Sequence, residues 1–338
     1  MTETLRTAGI VSTGSFLPET RVTNAEIESR EFVAGSGVPY RLTPGEIESR
    51  TGIRERRASS VPTSGLAAEA GRRALARGGI APNALDLVLL ATSTPDHPVP
   101  KTAPLVAHLL GTAGVPAYDF GKDCTGFLEA LEAGMQYVRT GAALRVLVIG
   151  AERTAALVEP ANKATAVVFG DGAGAAVLGV VGPDQGWIGS ASRSHGDLYD
   201  RLFVPAGGSA RPPNIDPPPG VRERTLRMDG RAVTEYATRV FPEAVMEVLG
   251  KHSLTLDDVA LVIPHQANRR ILEAALSALG VPEEKTFINV ERYGNTAAAS
   301  IPIALDEAAA AGRLRPGDLV CLVAYGAGLS WNAALLRW

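Results

Sequence analysis

Cysteine is nearly missing from this chain, with only Cys124 and Cys321 in 338 residues. Two thiols make no disulfide framework and suit a reducing compartment, so a cytoplasmic location is expected. A surplus of one charge is missing as well. With 33 basic against 36 acidic residues, no global pull toward nucleic acid or an acidic membrane is expected, although a local basic patch stays open. No stretch reaches the roughly 18 uncharged apolar residues of a spanning helix. The opening "MTETLRTAGIVSTGSFLPET" lacks the basic, apolar and small-residue zones of a signal peptide. A soluble, unanchored chain is expected. The Gly-rich "FGDGAGAAVLG" lacks both the Walker ending and dinucleotide spacing, so it reads as close backbone packing at a strand rather than a nucleotide loop. No metal-ligand cluster is apparent, and no metal is expected.

What is present is a repeated alternation. Apolar runs of strand length, "AGIVSTGSFL", "LDLVLLATS", "LRVLVIGAE" and "ATAVVFGDGAGAAVLGVV", alternate with Ala-rich stretches of helical spacing such as "TSGLAAEAGRRALARGG". This pattern predicts an α/β sheet covered on both faces. The second half echoes the first: "VALVIPHQ" with "RRILEAALSALG", then "DLVCLVAYGAG". Pairing Val88 with Leu261 and Val146 with Leu319 gives the same offset twice, 261 − 88 = 319 − 146 = 173. The same step carries Cys124 to Ala297, beside Asn295. Two similar halves, 1–183 and 184–338, are therefore expected to pack about a pseudo-twofold, the alternative being chance likeness between Ala/Val-rich segments. The Pro-rich segment 204–230 reads as a surface loop.

Apolar residues after Cys124 fall at Phe127, Leu128, Leu131, Met135 and Val138, one face of a helix. Cys124 then sits at a helix N-terminus, where dipole and free amides favour a thiolate and can hold an oxyanion. The alternative is a small buried hydrophobe, a description that fits Cys321. His97, His108, His195 and His252 read as surface or loop residues. His265 stands between a strand and a helix, where open α/β sheets place ligands. Asn295 opens another helix, as a functional group or an ordinary N-cap. A Cys, a His and an Asn at three helix mouths of a duplicated fold are harder to dismiss together than singly as functional groups.

The motifs "SRTGIRERR", "DCTGFLEAL", "PHQANRRIL" and "GNTAAASIPIALDEA", in that order, resemble the β-ketoacyl-acyl carrier protein synthase III family of condensing enzymes, and the likeness spans almost the whole chain. The resemblance implies a thiolase-like, five-layered αβαβα subunit made of two pseudo-duplicated halves, and a homodimer. It implies that Cys124 accepts an acyl group from a thioester, and that His265 and Asn295 stabilise the enolate formed as a malonyl thioester loses carbon dioxide. It also implies an oxyanion hole from the backbone N–H groups of Cys124 and Ala327. No tightly bound cofactor is implied; coenzyme A or the phosphopantetheine of an acyl carrier protein is the substrate carrier, and the carrier protein is the expected partner. Tyr325 stands where degradative thiolases carry a second cysteine, which argues against their chemistry.

The sequence also departs from the family pattern. Glu46 occupies the place of a tryptophan, and Lys163 that of an arginine, that hold the adenine of coenzyme A in family members. Thr234 replaces a tunnel phenylalanine. Weaker coenzyme A binding is expected. Arg50, Asn268 and Arg270 are kept and, with Arg54, Arg56, Arg57 and Arg269, are candidates to attract a carrier protein; a solvated basic face is the alternative for Arg56 and Arg57. Val99 replaces an acyl-limiting phenylalanine, so a bulkier acyl group is expected. Lys122 and Asp123 replace small residues before the cysteine, with a net effect on the thiolate that the sequence leaves undecided. Decarboxylative condensation is the leading expectation. The alternatives are an acyltransferase of specialised metabolism using a non-malonyl acceptor (carrier protein, sugar or amine), and a silent carrier-protein scaffold.

Overall fold

A computed structural model describes residues 5–33, 38–112, 114–212 and 224–338. The first sheet is built from β1 (Ala8–Phe16), β2 (Leu87–Ala91), β3 (Ala117–Phe120), β4 (Val146–Glu152) and β5 (Gly172–Val180), in the order β1-β5-β4-β2-β3. The second is built from β6 (Gly186–Ser194), β7 (Val259–Pro264), β8 (Leu319–Gly326) and β9 (Ser330–Arg337), in the order β6-β9-β8-β7, and a parallel bridge from Val262 to Thr286 extends its edge. The two orders superpose strand for strand. In each sheet the two strands at one end pair antiparallel, and the strands at the other end run parallel to their neighbours.

The helices follow the same plan. α1 (Thr63–Arg77) and α2 (Ala103–Leu110) cover one face of the first sheet, and α4 (Gly230–Lys251) and α5 (Arg269–Leu279) cover one face of the second. Between the sheets lie α3 (Gly126–Arg139) and α6 (Ser300–Ala310). Alternation decides which side chain faces which layer. Leu87, Leu89, Val146 and Val148 point into the central layer, whereas Val88, Leu90, Leu147 and Ile149 point outward to α1 and α2. The result is five layers, αβαβα, with the apolar faces of its central helices buried between the sheets.

The duplication holds, but its register is one residue longer than the sequence pairing suggested. Val88 faces outward while Leu261 faces the central layer, and Val146 and Leu319 disagree in the same way. An offset of 174 restores agreement: Val146 with Val320, Leu87 with Leu261, and the turn Asp123–Thr125 with Ala297–Ala299. A slip of one residue in a strand exchanges its two faces. The repeated runs are apolar at every position, so composition could not reveal the slip.

The Gly-rich run of β5 does pack closely. A side chain at Gly174 would lie 2.6 Å from the backbone nitrogen of Ile303, so glycine lets α6 press against the first sheet. Just before the segment 204–230, Leu202–Phe203 pairs with Arg227–Met228 near its end as a short two-stranded ladder; positions 213–223 of that expected loop lie outside the described residues. Among the described residues no helix is long and apolar enough to cross a membrane.

Candidate active site

Cys124 lies in the single 3-10 turn Asp123–Thr125 that leads into α3, whose face Phe127, Leu128, Leu131, Met135 and Val138 is buried in the central layer as its spacing predicts. The turn of the other half, Ala297–Ala299, leads into α6 in the same way. Each opens on a left-handed residue, Asp123 with φ 50° and Ala297 with φ 45°. The end of β8 closes on the cysteine from the second sheet. A side chain added at Gly326 would stand 2.8 Å from the Cys124 Cβ, so Cys124 sits where the two halves touch.

His265 follows β7. Its backbone N–H donates to Val323 O at 2.7 Å, its ring Nδ1 lies 2.6 Å from Ser300 Oγ, and its ring packs edge-to-face with Tyr325, centroids 5.4 Å apart. It is 1% exposed, and burial lowers its pKa to about 3, so the imidazole is neutral at ordinary pH. Asn295 is fastened by its backbone: its N–H donates to Val168 O at 2.9 Å and its carbonyl accepts from Gly170 N at 3.0 Å. Its Oδ1 accepts from Ala297 N at 2.8 Å, a brace from just before the turn, whose N-cap is Thr296 and not the asparagine. That bond leaves the Nδ2 group as a donor without a partner among the described residues.

Two cavities meet at the cysteine, sharing Cys124, Phe169 and Leu202 as common wall. The smaller, of about 150 Å³, is lined by His265, Asn295 and Tyr325 and reaches Thr234 and Asn268. The larger, of about 630 Å³, is lined by Asp123, Glu152 and Ala327 among others, but by neither His265 nor Asn295. The chemistry thus has a donor-bearing chamber on one side of the sulfur and a roomier chamber on the other.

The expected enrichment in thiolate is not what the resting site provides. Burial, and then the Asp123 and Glu152 carboxyl groups, push the Cys124 thiol well above its ordinary range, against the pull of the α3 dipole. Burial also raises Asp123, and raises Glu152 to about 7. Lys122 offsets Asp123 only in part, because its Nζ is directed to Ser194 Oγ at 3.1 Å and Glu129 at 3.9 Å. The sign left undecided by the sequence is therefore unfavourable to the thiolate. Asp123→Asn, which suits a left-handed residue, is expected to lower the thiol pKa and speed iodoacetamide labelling of Cys124 at neutral pH by about tenfold. Cys321, fully buried in β8, serves as the unreactive internal control. An unchanged rate would show that Asp123 does not hold the thiol up.

Sequence reasoning missed two groups in the site. Ser300 fixes the His265 ring, and its only trace is a lone hydroxyl at the start of "SIPIALDEA". The Tyr325 hydroxyl is buried with no hydrogen-bond partner among the described residues. An unpaired buried polar group costs on the order of 1–3 kcal/mol. Tyr325→Phe is accordingly expected to leave the fold at least as stable, with its urea midpoint unchanged or raised; a lower midpoint would reveal a partner for the phenol.

The expected cationic surface is largely spent on internal pairs. Lys163 Nζ lies 2.6 Å from Glu46 Oε1, and Arg50 Nε lies 3.2 Å from the same oxygen. Arg54 pairs with Glu48, Arg269 with Glu273 and Glu283, and Arg270 with Glu273 and the Ser49 carbonyl. Arg56 is not a surface residue at all. It is 3% exposed and donates to Val167 O and Asn24 Oδ1, while Arg57 donates to Pro18 O. Both tie β-strand ends to neighbouring loops, a role no spacing rule distinguishes from a basic face. Asn268 accepts from Arg270 N and caps α5. Val99 is 84% exposed and lines neither cavity of this single chain. His97 and His108 are exposed, and His195 and His252 are partly so.

Comparison with known proteins gives a consistent result. Residues 118–196 match the family profile described as 3-oxoacyl-[acyl-carrier-protein (ACP)] synthase III, and residues 249–338 match the profile for its C-terminal part. A β-ketoacyl-[acyl-carrier-protein] synthase III of Caldanaerobacter subterraneus is 41% identical over 98% of both chains. The crystal structure of 3-oxoacyl-[acyl-carrier-protein] synthase III from Aquifex aeolicus superposes with a TM-score of 0.88 at 37% identity, covering 98% of this chain and 100% of that one. The priming β-ketosynthase of the R1128 polyketide biosynthetic pathway does so at 0.87 and 32%, covering 98% and 97%.

Proposed function

The chain belongs to the 3-oxoacyl-[acyl-carrier-protein] synthase III family, and from that premise we propose that it joins an acyl group to a malonyl-carrier thioester through an acyl-Cys124 intermediate. The observation that carries this reading is the meeting of two chambers at one sulfur, with His265 and Asn295 confined to one of them. In the loading step the Cys124 sulfur attacks the thioester carbonyl and the thiol proton ends on the departing carrier thiol. The backbone N–H groups of Cys124 and Ala327 hold the oxyanion. Because the resting thiol is protonated, proton loss accompanies attack, and loading is faster as pH rises.

In the second step the malonyl carbon–carboxylate bond breaks, carbon dioxide leaves, and the electron pair becomes an enolate. His265 and Asn295 donate to its oxygen. With Ser300 donating its O–H to Nδ1, the imidazole proton resides on Nε2, the tautomer this role requires. The enolate carbon then attacks the acyl-cysteine carbonyl, the carbon–sulfur bond breaks, and the released thiolate takes a proton from solvent. A neutral imidazole suits the task, since it stabilises charge without surrendering its proton.

The finer assignments follow from the same premise. Glu46 neutralises Lys163 and Arg50 where a nucleotide phosphate would need free cations, which supports a carrier protein rather than coenzyme A as the preferred acyl donor. Asn268 and Thr234 would flank the phosphopantetheine arm along the smaller chamber, and Arg270 would stand at its mouth. Val99, so exposed on one chain, supports a homodimer in which the partner covers it. Residues 1–183 contribute the nucleophile and 184–338 the two enolate donors. A cytoplasmic location agrees with the reduced thiols.

Intact-protein mass spectrometry tests the reading. Acyl-carrier donors should add one acyl mass to Cys124, and malonyl-carrier protein should then remove it with release of carbon dioxide and a β-ketoacyl-carrier product. Discharge to a sugar, an amine or another carrier without carbon dioxide would replace condensation by simple transfer. No mass change with any thioester would leave a scaffold.

A further inference from the structure

The larger chamber has more room and more charge than a two-carbon acyl group needs. Its volume, about 630 Å³, lies within the range of about 300–1,000 Å³ that encloses drug-sized ligands. Leu157, Val158, Phe203 and Leu226 supply an apolar sleeve, and Ser93, Asp123, Glu152 and Thr154 form a polar patch in the same wall. These carboxyl groups are not equivalent. Glu152 is fully buried and already accepts from Thr94 Oγ1 at 2.7 Å and Ser93 N at 2.9 Å. Asp123 accepts no well-formed hydrogen bond from the described residues. The nearby Ser93 hydroxyl lies beside both carboxyl groups yet completes such a bond with neither. Lys122 is drawn away to Ser194 and Glu129, and Arg224, the one cation among the described lining residues, is itself engaged.

Resting on Cys124 as the acylated nucleophile, we propose that this chamber takes a medium-length acyl chain bearing a hydrogen-bond donor, a hydroxyl or an amine, and that Asp123 selects it. A purely aliphatic acyl group would cover the Asp123 carboxyl and leave it unpaired in an apolar sleeve, which is costly. A donor on the chain satisfies it. Consecutive Cα atoms are about 3.8 Å apart, so Asp123 reads the first few carbons beyond the thioester rather than the chain end. The left-handed backbone of Asp123 sets its side chain in the wall of the same chamber as the neighbouring sulfur. Glu152 is already held by Thr94 and Ser93, which leaves Asp123 as the carboxyl group an ammonium would pair with.

The test compares acylation rates of Cys124 by acyl-pantetheine thioesters, read by intact mass: hexanoyl, its 3-hydroxy and 5-hydroxy derivatives, and the corresponding amino derivatives. The ratio of rates is used, so that a change in thiol reactivity cancels. The wild-type protein is expected to load at least one hydroxy or amino derivative about tenfold faster than hexanoyl. Asp123→Ala is expected to load hexanoyl as fast as any derivative. Asp123→Asn, which keeps one acceptor oxygen and suits the backbone, should retain the hydroxyl preference and lose the amine preference. Equal loading of hexanoyl and every derivative by the wild-type protein would overturn the proposal, as would a preference that survives in both variants. A wild-type protein that takes no acyl group from any donor overturns the nucleophile itself, and the selection with it.

Discussion

Cys124→Ala is expected to carry no acyl group after incubation with any thioester donor, and its condensation rate should fall by at least about 10³-fold. The substitution removes the sulfur while its surroundings stay in place. Cys124 is only 8% exposed, and alanine fills most of the space a thiol leaves, so the chambers and the turn before α3 persist. Without the thioester intermediate, the enolate carbon would have to meet a separately bound acyl thioester, and the division of one hard step into two easier ones is lost. The measurement is intact mass after acyl-carrier donor, followed by quantitation of β-ketoacyl product. Acylation of the variant, on Cys321 or elsewhere, would remove Cys124 from the centre of the chemistry. Carbon dioxide release from malonyl-carrier protein in the variant, with no condensation, would instead agree with the proposed roles, because His265 and Asn295 remain.

The second large effect separates the two half-reactions. His265→Ala and Asn295→Ala are each expected to load the acyl group at near the wild-type rate, yet to lose condensation by roughly 10²–10³-fold, the usual cost of one preorganised donor at a developing oxyanion. The split follows from geometry, since both side chains line the smaller chamber only. Removing both together should cost less than the sum of the single losses, because donors to one oxygen act as a unit. Burial holds the His265 ring neutral down to a pKa of about 3. Condensation of the preformed acyl-enzyme should accordingly show no inflection between pH 5 and 8 from this residue. A loading defect equal to the condensation defect would place these residues in the first half-reaction. An inflection near pH 6.5 that disappears in His265→Ala would show a ring that titrates normally.

Much of the molecule could be read in advance, for local reasons. A helix face every three or four residues and strand runs bounded by turn residues do not depend on distant partners, so α3, the β2 and β4 strands, and the repetition of the plan were visible as patterns. The three helix mouths carrying Cys124, His265 and Asn295 were visible because reactive residue types stood out against apolar surroundings. The offset between the halves was misread by one residue, because apolar runs buried on both faces carry no alternation to betray their register. Arg56 and Arg57 were misread because a run of arginines looks alike whether solvated or buried.

The thiol's surroundings lay beyond any local pattern. Asp123 adjoins Cys124 in the chain, yet Glu152 comes from the next strand, Gly326 from the other half, and the two chambers from segments scattered along both halves. A pKa is set by distance and burial in three dimensions, so the expectation of an enriched thiolate at a helix mouth was reversed once two carboxyl groups and the enclosing wall were in view. Residue types and their periodicity established the kind of chemistry and its framework. Long-range packing established how hard the sulfur is to ionise, which donors face which chamber, and what shape of acyl group there is room for, since each depends on groups brought together across more than a hundred residues of chain.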